Sequence, residues 1–183
     1  MAADSGKCSV SVLLDLSAAF DTVDHGILFK RLRDVVGMSG PVLEWFRSYL
    51  TSRTFSVSSN NMMSETADLK WGVPQGSVFG PLLFLIYLLP LGELYQQFSE
   101  VSYHLYADDL QLYCSFKSSE PQRLASLTNC LAKIKQWLSE NSLQLNSCKT
   151  ESLFVAPDSI VPLSFKNVSY HFYGSPWSGA WIH

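Results

Sequence analysis

Two alternating apolar segments meet at a pair of acids. Val101, Tyr103 and Leu105 alternate, Tyr106-Ala107-Asp108-Asp109 follows, and Leu110, Leu112, Cys114 and Phe116 alternate again. A period of two marks strands with one buried face, so this stretch predicts a hairpin whose turn bears Asp108 and Asp109. Earlier in the chain, Ser9 to Leu16 reads as a buried strand with Val10, Val12 and Leu14 on one face, Leu13 on the other, and Asp15 at its end. Laid edge to edge with the hairpin, that strand would gather three carboxylates. They cannot all stay ionised in one small volume unless cations join them. Hard oxygen donors suit Mg²⁺, and two such ions roughly 3.5–4 Å apart can activate an attacking oxygen and stabilise a leaving pyrophosphate. Singly, each acid has a plainer reading: Asp-Asp is a common turn former, and Asp15 could cap a strand end. Phosphoaspartyl sites fit less well, because Ser17 stands where one type wants a second acid and the acid pair follows Asp15 where another wants it first.

Around these acids the sequence predicts alternating helices and strands. Asp24 is a helix N-cap with Leu28, Leu32, Val35 and Val36 on one face and Gly37 as the stop. A second helix follows Gly40, with Pro41 in first position and Val42, Trp45, Phe46, Tyr49 and Leu50 at helical spacing. Thr54 to Ser58 is a short strand and Asn60 to Lys70 a polar loop. Leu82 to Leu89, between Pro81 and Pro90, predicts a helix apolar all round and therefore buried. A membrane helix needs roughly 20 apolar residues, so no span is expected there. From Pro121, Leu124, Leu127, Leu131, Ile134 and Leu138 form one stripe, so this helix covers a sheet with a single face. Ser152 to Ala156 is a last strand.

Composition excludes some classes. With 47% hydrophobic and 16% charged residues over 183 positions, the chain is globular rather than disordered. Thirteen Lys and Arg against 16 Asp and Glu give a net charge of −3, so no global basic field points to nucleic acid. Cys8, Cys114, Cys130 and Cys148 form no CxxC pair, which predicts a reduced, intracellular and non-secreted protein without zinc. Two further segments offer chemistry. Pro74-Gln75-Gly76-Ser77 puts an amide donor and acceptor on a turn before a buried helix, although a plain loop-to-helix entry reads the same way. Lys149, just before the last strand, could neutralise a pyrophosphate or protonate it, although it could equally be a solvated strand-start lysine.

Taken together, the segments resemble the palm motifs of reverse transcriptases from non-LTR, LINE-type retrotransposons. Val12-Leu13-Leu14-Asp15-Leu16-Ser17-Ala18-Ala19-Phe20-Asp21-Thr22-Val23-Asp24-His25 is similar to the first motif, and Gly72-Val73-Pro74-Gln75-Gly76-Ser77-Val78-Phe79-Gly80-Pro81-Leu82-Leu83-Phe84 to the second. Tyr106-Ala107-Asp108-Asp109 is similar to the third, and Leu143-Gln144-Leu145-Asn146 through Lys149-Thr150-Glu151 to the fourth. Phe79 stands where leucine is expected.

The resemblance implies an α/β (α+β) palm, an antiparallel sheet backed by helices with fingers and thumb largely missing. Residues 8–156 would form this partial palm and 157–183 a poorly patterned tail. It implies RNA-directed DNA polymerase activity on an RNA template and DNA primer with deoxynucleoside triphosphates. Two Mg²⁺ ions, with Mn²⁺ as a substitute, would be held by Asp15, Asp108, Asp109 and the Leu16 carbonyl. Ala18 and Ala19 would lie under the triphosphate and Phe20 under the sugar, where its ring rejects a 2′-hydroxyl. Gln75 and Gly76 would contact nucleotide and template, Tyr106 and Ala107 the primer end, and Lys149 the pyrophosphate. Trp45 and Phe46 are core. An inactive retroelement-derived remnant, or a nucleic-acid- or protein-binding module on a palm fold, is the alternative.

Overall fold

Every strand of the main sheet runs antiparallel to its neighbours, and the acids stand where two of those strands end. The computed structural model describes residues 7–117 and 119–155. In chain order the strands are β1 (Cys8–Leu14), β2 (Thr54–Phe55), β3 (Ser58–Ser59), β4 (Met62–Met63), β5 (Ala67–Asp68), β6 (Ser102–Tyr106), β7 (Asp109–Phe116) and β8 (Glu151–Val155). The α-helices are α1 (His25–Lys30), α2 (Gly40–Leu50), α3 (Phe79–Leu88), α4 (Leu91–Gln96) and α5 (Pro121–Glu140). These elements fall into two units. One holds the described residues up to Ser17, Leu91–Ser139 and those from Gln144 onward; the other holds Ala18–Pro90 and Glu140–Leu143. The predicted tail 157–183, and Ala156 of the predicted last strand, lie outside the described residues.

In the first unit the sheet order is β6-β7-β1-β8. Val10 pairs with Cys114, Val12 with Leu112 and Leu14 with Leu110, and all six are at most 2% exposed. The other face pairs Ser9 with Ser115, Ser11 with Tyr113 and Leu13 with Gln111, which are half-buried or exposed. Alternation therefore sorts core from surface as the period-two pattern requires. On α5, Leu124, Leu127, Cys130, Leu131, Ile134 and Leu138 are all buried, in agreement with the stripe read from sequence. Arg123 ties the start of this helix to the sheet. Its Nη1 donates to the Ser115 carbonyl at 3.1 Å and its Nε lies 3.5 Å from Glu120 and 3.9 Å from Glu100. Tyr95 of α4 stacks on Tyr103 of β6 with ring centroids 3.8 Å apart.

In the second unit Asp24 caps α1 as predicted, its Oδ1 accepting from the Ile27 amide at 2.9 Å. The helix does not continue regularly to Gly37. Arg31–Val35 widen into a π turn, with the Val36 amide donating to the Arg31 carbonyl at 3.0 Å. The extra residue shifts the helical phase. Leu28 and Leu32 are buried, but Val35 and Val36, expected on the same face, are 52% and 40% exposed. Gly37 then ends the segment with φ +79°. On α2 the expectation of core also holds only in part: Phe46 and Leu50 are buried, whereas Val42 and Trp45 are 53% and 47% exposed. On α3, Leu82 and Leu85 stand partly in solvent, as does Leu89 just past its end, although an apolar-all-round helix predicts full burial. Of the strand read from Thr54 to Ser58 the structure keeps β2 at its start, and the segment read as a polar loop, residues 60–70, instead holds β4 and β5, which pair with β3 and β2 in two small ladders, the β3–β4 ladder closed by Asn60 and Asn61 at φ +50° and +62°. Left-handed φ at both central residues is the hairpin geometry that Asn tolerates.

Burial assigns different costs to similar leucines. Leu127→Ala, at a fully buried site, lowers unfolding free energy by about 2–5 kcal/mol in urea titration, whereas Leu82→Ala on the exposed stripe costs about 1 kcal/mol or less. Burial also pushes the Cys114 and Cys130 thiols up from 9.0 to about 11 and the Tyr87 hydroxyl from 10.0 to about 12. Folding favours the neutral form of each, so the stability they contribute is present below pH 9.0 and lost as pH rises through about 11 and then about 12. The urea midpoint at about pH 11 is therefore lower than at about pH 8, and Tyr87→Phe flattens the fall.

Candidate active site

The ladder between β1 and β7 sets the site. Leu14 and Leu110 are the last pair of the ladder, so Asp15 and Asp109 flank it at one end, turned by alternation to the face opposite the core. Tyr106 pairs with Asp109, leaving Ala107 and Asp108 as a two-residue turn. Ala107 takes φ +52°, a left-handed conformation that costs a non-glycine residue about 1 kcal/mol or more. Tyr106 is exposed and Asp108 half-buried.

Past β1, the chain is stitched to the segment before β8. Leu16 bridges Leu145, with the Ser17 amide donating to the Gln144 carbonyl at 2.8 Å and the Asn146 amide to the Asp15 carbonyl at 2.8 Å. Those two bonds leave the Leu16 carbonyl outside the bridge. Asn146 then organises a turn. Its Oδ1 accepts from the Cys148 amide at 3.2 Å, and its carbonyl accepts from the Lys149 amide at 3.1 Å and the Thr150 hydroxyl at 2.9 Å. The result sets Lys149 Nζ 3.8 Å from Asp15 Oδ2. With side chains 69% and 24% exposed, this pair adds little stability, about 1 kcal/mol at most.

A pocket of about 290 Å³ is lined by Asp15, Asp109, Cys148, Lys149 and Glu151, floored by Leu13, Leu14 and Leu110. Two of the three predicted carboxylates thus share a wall, with the predicted lysine. Asp108 is not among the lining residues, and the described residues hold no group of three His, Cys, Asp or Glu side chains set to bind a metal. The donor set nonetheless fits Mg²⁺, which keeps several waters and takes one or two carboxylates plus substrate phosphates rather than an all-protein cage. Glu151 lines the pocket with no role read from sequence. It opens β8 opposite Leu13, two residues before Asp15, so the strand's outward alternation is the signal that could have found it.

The other predicted residues belong to the second unit. Ala18 is exposed with φ +48° and Ala19 is buried. Phe20 is half-buried, its ring 5.0 Å from Phe84 of α3. Two loops are joined here. The Gly72 amide donates to the Val23 carbonyl and the Val73 amide to the Phe20 carbonyl, both at 2.8 Å, and His25 Nε2 donates to the Gly72 carbonyl at 2.8 Å. Gly72, at φ +84°, sits where a side chain would be strained and crowded, since a Cβ would lie 3.1 Å from the Asp21 and Phe20 backbone. Ser77 starts α3. Its hydroxyl accepts from the Gly80 amide at 3.0 Å and donates to the Pro74 carbonyl at 2.6 Å. Gln75 and Gly76 are exposed at the tip between them, Gly76 with φ +74°. Gln75 Nε2 donates to the Asp21 carboxylate at 3.1 and 3.2 Å, a partner that the sequence reading had not singled out.

Known proteins agree with the family that the motifs resemble. The family model for reverse transcriptase (RNA-dependent DNA polymerase) matches residues 1–176. A probable RNA-directed DNA polymerase from transposon BS of Drosophila melanogaster is 34% identical over 166 residues, 84% of this chain and 18% of that protein. The RNA-directed DNA polymerase from mobile element jockey of the same organism is 30% identical over 163 residues, 85% of this chain and 17% of that protein. The chain thus spans less than a fifth of the length of either relative. Among solved structures, apo telomerase from Candida tropicalis, truncated from its C-terminal domain, superposes with a TM-score of 0.62 at 13% identity, covering 84% of this chain and 32% of that one. Telomerase from Candida albicans in complex with a TWJ fragment of telomeric RNA gives 0.61 at 15%, covering 79% and 27%. At such identities the likeness shows the fold, a palm-like polymerase sheet with helices. The chain belongs to the reverse transcriptase family.

Proposed function

We propose that this chain is the nucleotidyl-transfer palm of a longer RNA-directed DNA polymerase, adding a deoxynucleotide to a primer 3′-hydroxyl on an RNA template and releasing pyrophosphate. The observation that supports this most is the shared pocket of Asp15, Asp109 and Lys149 at the end of the β1–β7 ladder. Asp15 and Asp109, with Asp108 and the Leu16 carbonyl, would hold two Mg²⁺ ions, or Mn²⁺ in their place. Bound there, such ions supply activation of the attacking oxygen and stabilisation of the leaving group.

The protein's own residues hold and orient. Asp15 and Asp109 present fixed negative charge at one pocket wall, and the Lys149 ammonium offers a proton or a counter-charge to the pyrophosphate. Ala18 and Ala19 would run beneath the triphosphate. Phe20, backed by Phe84, would offer a stiff ring under the sugar that leaves no room for a 2′-hydroxyl. Gln75 and Gly76 would meet the nucleotide and template, and Tyr106 and Ala107 the primer end. An RNA template is supported by the structural likeness to a telomerase solved with an RNA fragment. No helix among the described residues is long and apolar enough to cross a membrane, and we place the reaction inside the cell, where the free thiols of Cys8, Cys114, Cys130 and Cys148 stay reduced.

Two measurements check this reading. Calorimetric titration of the chain with Mn²⁺ shows weak binding that Asp15→Asn and Asp109→Asn each reduce by about tenfold, whereas equal affinity in all three proteins contradicts a carboxylate-held cation. In the longer polymerase of which this palm is part, single-turnover addition of one deoxynucleotide to a DNA primer on an RNA template, with protein in excess, falls by more than about 100-fold in Asp15→Asn. Addition that survives this substitution contradicts the proposal.

A further inference from the structure

We propose that Asp21 is the positioning residue for Gln75, fixing which end of its amide faces a ligand; the identity of that ligand as a nucleotide rests on the nucleotidyl-transfer reading above. Gln75 Nε2 lies 3.1 and 3.2 Å from the two Asp21 carboxylate oxygens. A carboxylate can only accept, so the nitrogen must face it, and chemistry settles the orientation of the amide. Gln75 Oε1 is then turned away from Asp21, and among the described residues it takes no hydrogen bond.

This meeting is built into the backbone rather than left to two long side chains. The Val73 amide bonds the Phe20 carbonyl and the Gly72 amide the Val23 carbonyl, so hydrogen bonds bracket Asp21 on both sides. Gly72 lets the second loop pass so close to the Asp21 backbone that an added Cβ would stand only 3.1 Å from it, a crowded contact. On the Gln75 side, Ser77 holds the Pro74 carbonyl at 2.6 Å, and Gly76 supplies the left-handed φ of +74° that turns the chain into α3. Both residues are exposed, so the pair adds little to stability and its value lies in orientation.

The consequence concerns selectivity. With its nitrogen committed to Asp21, Gln75 offers an outward acceptor. Such an acceptor recognises an O–H or N–H of a nucleotide and not an ionised phosphate oxygen, which has nothing to donate. Losing Asp21 frees the amide to turn, and an amide that samples both orientations binds a donor more weakly.

Two readouts test the proposal, and the first is independent of any activity. In ¹⁵N-labelled protein the Gln75 side-chain amide resonates away from the position of solvated glutamines and moves to it in Asp21→Ala; Asp21→Asn, which still offers an acceptor, keeps it displaced. Identical Gln75 signals in the unsubstituted chain and Asp21→Ala overturn the proposal. The second is calorimetric titration with dTTP and Mg²⁺. Asp21→Ala and Gln75→Ala each weaken binding by about fivefold to tenfold, the double variant is no weaker than either, and Asp21→Asn stays within about twofold of the parent. Additive losses, or a loss in Gln75→Ala alone, contradict it. If the parent chain binds no dTTP, the nucleotide reading fails while the amide signals still decide whether Asp21 orients Gln75.

Discussion

The register between β1 and β7 is the constraint on which the candidate chemistry depends. Side chains alternate across a sheet, so a slip of β7 by one residue would send Asp109 to the buried face and turn Leu110, Leu112 and Phe116 toward water. Each of those three apolar side chains is almost fully buried and contributes about 1.5–3 kcal/mol by leaving water. The core therefore fixes the register far more firmly than the acids could. The acids inherit their positions from it: Asp15 follows Leu14 and Asp109 precedes Leu110, so pairing the leucines aligns the carboxylates. Packing energy thus offsets the electrostatic cost of bringing two like charges to one wall.

Strained or glycine-dependent turns then place what the ladder does not. Ala107 at φ +52° makes the hairpin turn tight enough for Tyr106 to pair with Asp109. Asn146 shapes the turn that returns Lys149 toward Asp15. Gly72 and Gly76 play the same part where the loop before α3 meets the loop before α1. In each case a functional candidate stands on backbone held by hydrogen bonds on both sides, which is what preorganisation requires.

Much of this was legible in the sequence, for a physical reason. Strand alternation and the Leu124–Leu138 stripe record burial directly, so β7, β1 and α5 emerged with the right faces, whereas on β6 Tyr103 is 41% exposed. Asp24 and Gly37 are chemical punctuation, and both act as read. Other features left no such record. The π turn at Arg31–Val35 shifts a helical phase that periodicity assumes constant, so Val35 and Val36 were misplaced. Apolar stripes on α2 and α3 show that a face is apolar but not what lies over it, which is why Trp45 and Leu82 stand partly in solvent. Pairings distant in sequence, such as Asp21 with Gln75, depend on tertiary placement and could not be read from one chain position.

The most direct test of the central claim is the cross-strand pairing itself, read from backbone nuclear Overhauser effects in the labelled protein. The account predicts contacts that pair Leu14 with Leu110 and continue to Asp15 with Asp109. A ladder displaced by one residue, with Leu14 opposite Asp109, would contradict it, because the two carboxylates would then stand on opposite faces of the sheet.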